Sequence, residues 1–412
     1  MVELLSPGGN FISLRAALIN GADSVYIGLK DNNMRTNTSN FSIEDIKKAS
    51  KIAKEYSSKI YLCSNTIMRD EDILLINSYL PSIKNAEIDA MIVSDIGLAD
   101  LAIENDIDVH MSVQENISNV RSLKTFKKLG VKRAILSREL NIKEIKKIAN
   151  DSPIETEVFI HGAMCMAISG RCFLSYGLYN KSANCGECLQ PCRKQWKLTV
   201  QDEDSDFYEK CEDSVIILDK SHDSSYKSNF LSPYDMAMIE HIPELMETGV
   251  DAFKIEGRAR SPDYVATATR IYKEAIDSYE SGNYKFKESW LSDLKKVYNR
   301  GFDTGFYFNP SFKTGGDNKS EYIKKDIAKV VNYYSKIKVA ELQIWEDLSL
   351  GDEIIIQGKT TGSINHVIKS MEIDGKAINH CKKGNNIAIA IDEKVRENDF
   401  VYKLIKRVNN LE

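Results

Sequence analysis

Along the first 257 residues one local pattern recurs: a short apolar run rich in Val and Ile, a polar or glycine break, then a stretch whose apolar residues follow helical spacing. Such alternation marks βα units and a parallel sheet. Eight runs fit the strand half of the pattern: Glu3 to Ser6, Ser24 to Gly28, Lys59 to Asn65, Ala90 to Asp95, Asp108 to Gln114, Arg133 to Arg138, Glu155 to Gly162, and Ala252 to Gly257. Similar small turns precede several of them, Gly-Ala-Asp before Ser24, Gly-Val-Lys before Arg133 and Gly-Val-Asp before Ala252, as repeated units would give. Eight parallel strands in this length predict a (β/α)8 barrel, with a doubly wound open sheet as the competing arrangement.

The alternation stops between the seventh and eighth runs, where Ala163 to Leu231 forms a long insertion with little periodicity. Its first half is cysteine-dense, and its second half, with Asp202 to Asp206 and Asp219 to Ser228, reads as solvated polar surface. A helix is expected from Ser261 to about Tyr279, and the glycine-punctuated Arg300 to Phe306 reads as a linker. These features place a barrel domain over residues 1–310. From residue 322 to 412, alternating runs (Ile327 to Val331, Ile337 to Gln343, Glu353 to Ile356, Ile364 to Met371, Asn386 to Ile391, Phe400 to Leu404) with Gly351-Asp352 and Asp374-Gly375 turns predict a small antiparallel β-barrel.

Composition is that of an ordinary globular chain, with 42% apolar and 28% charged residues. The N-terminal Met1-Val2-Glu3-Leu4-Leu5-Ser6-Pro7 has no basic stretch leading into an apolar run, and no apolar segment approaches the ~20 residues of a membrane helix. The expectation is a cytoplasmic protein with no membrane partner. A net charge of -5 offers no global attraction to nucleic acid, so an RNA partner would need a local basic face. Residues 322–412 carry 15 Lys plus Arg against 13 Asp plus Glu, locally more basic than the whole.

Of eight cysteines, five fall within 28 residues: Cys165, Cys172, Cys185, Cys188 and Cys192. Clustered thiols in a reducing compartment point to a metal site rather than to disulfides or buried packing. Thiolates suit zinc or iron-sulfur clusters. Zinc ribbons bring two tight Cys-x2-Cys knuckles, whereas here only Cys185 and Cys188 have that spacing. Cys63 and Cys381 read as structural, and Cys211 has no assigned role.

Six segments carry a likeness to a known family: Glu3-Leu4-Leu5-Ser6-Pro7-Gly8-Gly9-Asn10, Gly21-Ala22-Asp23-Ser24-Val25-Tyr26-Ile27-Gly28, Glu157-Val158-Phe159-Ile160-His161-Gly162-Ala163-Met164-Cys165, Ser169-Gly170-Arg171-Cys172, Gln190-Pro191-Cys192-Arg193 and Lys254-Ile255-Glu256-Gly257-Arg258. Through them the chain resembles peptidase family U32, the collagenase-like proteases, and within it the branch that hydroxylates RNA. It implies a 4Fe-4S cluster on Cys165, Cys172, Cys188 and a fourth cysteine. In the RNA branch that fourth is Cys192; a quinone-pathway arrangement would use Cys211, and Cys185 is extra. It also implies oxygen-independent hydroxylation of a pyrimidine, a uridine of tRNA before ribosomal RNA, with prephenate, a small dicarboxylate, as hydroxyl donor. An oligomer of like chains, or with a related family member, stays open.

If the barrel closes, the residues after each strand share one face, where such barrels keep their active sites. Arg138, Arg171 and Arg258 are the candidate cations for a dicarboxylate, because guanidinium groups grip carboxylates in bidentate fashion. Gln114 joins them as a substrate-binding candidate. His161, four residues before Cys165, is a candidate donor to a cluster sulfur or proton shuttle, and Glu256 and Lys254 are candidates to orient substrate. Two competing functions stand beside this one. A peptidase would draw on Cys165 with His161, since neither His-Glu-x-x-His nor Gly-x-Ser-x-Gly occurs. A non-catalytic RNA-binding protein would use the cluster only to staple the loop.

Overall fold

A computed structural model describes residues 1–30, 32–36, 38–196, 229–309 and 313–407. Cys211 and the acidic half of the insertion lie outside the described residues. Eight parallel strands close on themselves: β1 Glu3–Pro7, β2 Ser24–Gly28, β3 Lys59–Ser64, β4 Ala90–Val93, β5 Val109–Met111, β6 Arg133–Ile135, β7 Glu155–Ala163 and, beyond a short β8 Asp235–Ala237, β9 Ala252–Ile255. Closure is made by β9, which pairs with β1 at Glu3↔Ala252 and with β7 at Glu157↔Ala252. The closed ring excludes the open doubly wound sheet.

Helices α1 Phe11–Ile19, α2 Ile43–Glu55, α3 Asp70–Asn85, α4 Ile96–Glu104, α5 Val120–Leu129 and α6 Ile142–Asp151 return the chain between strands. Their starts are written locally: Ser42 with Asp45 and Asn141 with Glu144 form capping boxes, each satisfying two orphan N–H groups. After β7 the described part of the cysteine loop holds a short α7 Leu174–Tyr179 and two 3-10 turns, and α8 Ile242–Met246 precedes β9. The long α9 Pro262–Glu280 starts at Ser261 with Pro262 in its first turn, and its apolar face, including Val265, Ala268 and Tyr272, is buried in the core.

Two departures from the sequence reading change the surroundings of the barrel mouth. Past the insertion, which ends at Leu231, the chain forms β8, a strand the periodicity did not mark, and it runs antiparallel to the end of β7 (Gly162↔Met236). The glycine-punctuated segment after α10 Glu288–Lys296 is no linker: β10 Phe302–Asp303 adds to β8. Arg300 explains it, because its guanidinium lies 2.9 Å from the buried Asp235 carboxylate and ties the segment to the sheet.

Residues 322–407 form an antiparallel region with its own core, in which Ile327, Val330, Leu342, Ile356, Ile389 and Val401 meet. Its main strands are β11 Tyr322–Tyr334, β12 Val339–Ile344, then, past β13 Leu348–Ser349, β14 Glu353–Gly358 and β15 Gly362–Val367. The order continues with β16 Met371–Ile373, β17 Lys376–Ala377, β18 His380–Cys381, β19 Asn386–Ala390 and β20 Phe400–Lys406. Pairing runs β15-β14-β20-β11-β12-β19-β16-β17, with β15 and β17 at the ends. The region docks on the barrel through Asp263 of α9, which accepts from Lys324 Nζ at 2.7 Å and Gln357 Nε2 at 3.1 Å.

Candidate functional site

Inside the barrel floor the side chains are charged. Arg133 of β6 contacts Glu3 of β1 at 2.9 Å, Glu155 at 2.7 Å and Glu157 of β7 at 3.2 Å. Lys254 of β9 lies 2.9 Å from the other oxygen of Glu157 and 4.5 Å over the Tyr26 ring. Tyr61 and Ser24 donate to Glu3 at 2.8 and 2.7 Å. Burial alone would raise the Glu3 carboxyl, yet Arg133 and these donors hold it far below the usual carboxylate range.

Above this floor, at the carboxyl ends of the strands and under the cysteine loop, lies a cavity of about 300 Å³. Met34, Ile92, Val113, Ile135 and Phe159 supply apolar walls, and Lys254 reaches it from the floor. Among the sequence candidates it gathers Gln114, Arg138, Lys254, Glu256, Arg258, Cys165, Cys172, Cys188 and Cys192.

Arginines dominate the polar lining. Arg35, which nothing in the sequence marked, pairs with Glu256 at 3.0 Å. Burial alone would raise the Glu256 carboxyl, but Arg35, Arg260 and Arg138 hold it at about 2, so it stays ionised near neutral pH. Among the described residues Arg138 donates to the Ala163 carbonyl, at 2.7 Å, and to Met164 sulfur, and it stacks 3.8 Å over Phe159. Arg193, quoted in the Gln190-Pro191-Cys192-Arg193 motif but given no role from sequence, donates to Ser232 Oγ at 3.2 Å and to the Pro233 and Met164 carbonyls. Arg258 is 5% exposed and its Nη1 has no hydrogen-bond partner among the described residues; the same holds for Arg138 Nε. Gly28 makes room for Arg258: a Cβ there would stand 2.1 Å from Nη1. A buried guanidinium without a carboxylate is costly, and a bound anion would offset that cost.

The cysteine loop roofs the cavity. Thr36 N–H and hydroxyl both donate to the Gly186 carbonyl, Cys172 N–H to Asn184 Oδ1 at 3.0 Å, and Leu189 N–H to Ser175 Oγ at 3.1 Å. These bonds bring Cys165, Cys172, Cys188 and Cys192 to one wall. Burial pushes the Cys188 and Cys192 thiols up, and Cys165 and Cys172 add to it in both. Cys185 does not line the cavity, and Cys63 forms part of its wall. Four soft donors grouped this way fit a thiolate-bound metal or cluster by chemistry. Their side chains are not drawn into ligating positions: among the described residues no three His, Cys, Asp or Glu groups stand ready to hold a metal ion.

Two candidates lie elsewhere. Alternation from Glu157 and Phe159 would aim His161 into the barrel, but the β7–β9 register shifts between Phe159 and His161. That bulge resets the phase and turns the imidazole outward. It sits between Tyr264, Tyr272 and Phe302, 2% exposed, with Nδ1 3.3 Å from the Tyr272 hydroxyl. Burial drops its pKa to about 3, with Arg260 adding to the effect, so it is neutral. The peptidase pair of Cys165 with His161 therefore has no geometric basis, and no described histidine lines the cavity. Arg171 extends into solvent, its side chain 61% exposed and 3.8 Å from Glu115.

No described helix is long and apolar enough to cross a membrane. The family model for peptidase family U32 matches residues 9–316. The chain is 46% identical over 416 residues to a Methanocaldococcus jannaschii protein named as an uncharacterized protease, with 98% of each chain covered. It is 37% identical over 427 residues to a collagenase of Porphyromonas gingivalis, again with 98% of each covered. With tRNA hydroxylation protein P1 of Bacillus subtilis it shares 32% identity over 410 residues, 97% of this chain and 94% of that one. On a family match across most of its length, and on relatives aligned nearly end to end, this chain belongs to peptidase family U32.

Proposed function

We propose that this protein hydroxylates a uridine of tRNA without molecular oxygen, with a 4Fe-4S cluster on Cys165, Cys172, Cys188 and Cys192 and prephenate as hydroxyl donor. The observation that carries the reading is the pairing of four thiols with two arginines, Arg258 and Arg138, on one small cavity, each with a guanidinium nitrogen that has no partner among the described residues. The likeness to tRNA hydroxylation protein P1 supports the substrate.

In this reading Arg258 and Arg138, both of which line the cavity, bind the carboxylates of the donor through their guanidinium groups. Ile92, Val113, Ile135 and Phe159 exclude water from the base and the donor's ring. Glu157 holds the Lys254 ammonium at the cavity floor, where it adds a fixed positive charge beneath the reacting groups. Glu256 keeps Arg35 in place and, ionised, is no proton donor near neutral pH. A cluster on the four thiols would supply the one-electron redox chemistry.

The peptidase reading takes its support from the names of two relatives. Against it stands the lack of a described histidine lining the cavity to act as the base of a Cys–His pair. The deciding experiment is purification without air, followed by turnover of tRNA with prephenate and nucleoside analysis of tRNA from cells lacking the gene. The reading expects roughly four iron and four sulfide per chain and loss of one hydroxylated uridine. Stoichiometric zinc with an unchanged nucleoside profile would overturn it, and peptide hydrolysis by the metal-free protein would establish the alternative.

A further inference from the structure

The side chain of Gln114 is held in one orientation by bonds that begin at the backbone. The Met34 N–H donates to Asn65 Oδ1 at 3.3 Å. That turns Asn65 Nδ2 toward Ser112 Oγ and Gln114 Oε1, both at 3.1 Å. The Ser112 hydroxyl donates to the same Gln114 oxygen. A backbone N–H cannot accept, so reversing the Asn65 amide would lose its anchor. Reversing Gln114 alone would set one NH2 against another. The support is dry and fixed, with Asn65 7% and Ser112 2% exposed. The cysteine loop holds the stem: a Cβ at Gly170 would stand 2.6 Å from Gln114 Cγ.

Gln114 Oε1 is thus committed within the protein. Its Nε2 is bonded to no acceptor among the described residues and belongs to a side chain that lines the cavity. We propose that Gln114 is the specificity residue of this cavity, a donor-only reader that takes a ligand oxygen and rejects an amino group in the same place. The assignment rests on the hydroxylase reading above and deepens it. Uracil and cytosine differ at this level: the C4 substituent is an acceptor oxygen in one and a donor NH2 in the other. A donor facing a fixed donor leaves two desolvated N–H groups unpaired, and sites built on a hydrogen bond discriminate far more sharply than sites built on shape. A carboxylate oxygen of prephenate has the same acceptor chemistry. The base is the favoured source, because Arg138 and Arg258 already offer charged donors to carboxylates while a neutral amide suits a neutral carbonyl.

The test uses holoenzyme prepared without air, prephenate, and two anticodon stem-loops that differ only in uridine or cytidine at the target. Wild type should favour uridine by about 100-fold or more in kcat/KM. Asn65→Asp replaces the donor that fixes Gln114 with an acceptor, so the Gln114 amide turns and shows its oxygen to the cavity. Preference should then move toward cytidine by at least about tenfold, with iron content unchanged. Gln114→Met, uncharged and similar in length, should erase the preference without inverting it, and guards against a misfolded Asn65→Asp. A rise of about tenfold in the KM for prephenate, with base preference intact, would support the same donor-only reader with the donor's carboxylate as its ligand. Iron-replete variants with both constants unchanged would overturn the assignment. A wild-type holoenzyme that hydroxylates neither RNA would overturn the hydroxylase reading itself, and this assignment with it.

Discussion

Arg133 and Arg138 stand five residues apart on one βα unit, and Lys254 and Arg258 four apart on another. At the floor, Arg133 and Lys254 share Glu157, with Glu3 and Glu155 completing the set. At the mouth, Arg138 and Arg258 each keep a buried N–H group with no partner among the described residues. Burial is similar in both places, so burial does not separate them. Completion does: a closed ionic network serves the fold, and an open one waits for an anion. Charged residues inside a barrel are therefore informative only once their partners have been counted.

The largest effect should come from the thiols at the mouth. Cys165→Ala, Cys172→Ala, Cys188→Ala and Cys192→Ala should each lower iron content sharply and abolish turnover, because an open iron is easily lost. Cys185→Ala should keep both, since that thiol does not line the cavity. Full iron in Cys192→Ala with loss in Cys211→Ala would mean a different ligand set. At the floor, Arg133→Met strips Glu3 and Glu157 of their shared cation, and stability should fall by about 3–5 kcal/mol in a denaturant titration. A loss under 1 kcal/mol would mean that water or Lys254 repairs the floor, and the contrast with the mouth would weaken.

Arg258→Met should act with the opposite sign on stability. Removing an unpartnered buried charge relieves its desolvation, so the ligand-free protein should unfold no more easily than wild type. Its affinity for prephenate should fall by about 10–100-fold in a calorimetric titration, the worth of a charged hydrogen bond. Destabilisation as large as that of Arg133→Met would show that Arg258 is structural after all.

The eight strand runs were legible because β-branched clusters and turns repeat along the chain, and four of the five clustered cysteines do meet one cavity. Arg35 was not legible, and the place of Arg193 in the cavity was not, because each comes from a loop where no periodicity says which way a side chain points. Gln114 was nameable as a polar strand end, but its fixed orientation depends on the Met34 N–H, a contact 80 residues away in sequence. His161 misled for a different reason. Period-two reading carries Glu157 and Phe159 inward correctly, and one bulge then sends the next expected residue out.

The smallest effect belongs to His161, and it tests whether that outward turn is right. Its pKa of about 3 in the folded protein lies below the ordinary histidine value near 6.5, so the unfolded chain binds a proton that the folded one refuses. The neutral ring is fully compatible with folding above pH 6.5. As pH falls from there toward 3, its share of stability is lost at roughly 1 kcal/mol per pH unit. His110 is depressed in the same direction by burial and Arg133, and adds to the slope. Glu256, held at about 2, contributes in the same sense only below its ordinary value of 4.5. Replacing His161 with Phe, which suits its aromatic neighbours Tyr264 and Phe302, should flatten the slope between pH 6.5 and 4.5 while leaving kcat and the KM for prephenate unchanged at neutral pH. A selective collapse of kcat, with iron content and stability at pH 7 intact, would return His161 to the reacting groups and require the bulge to open when substrate binds.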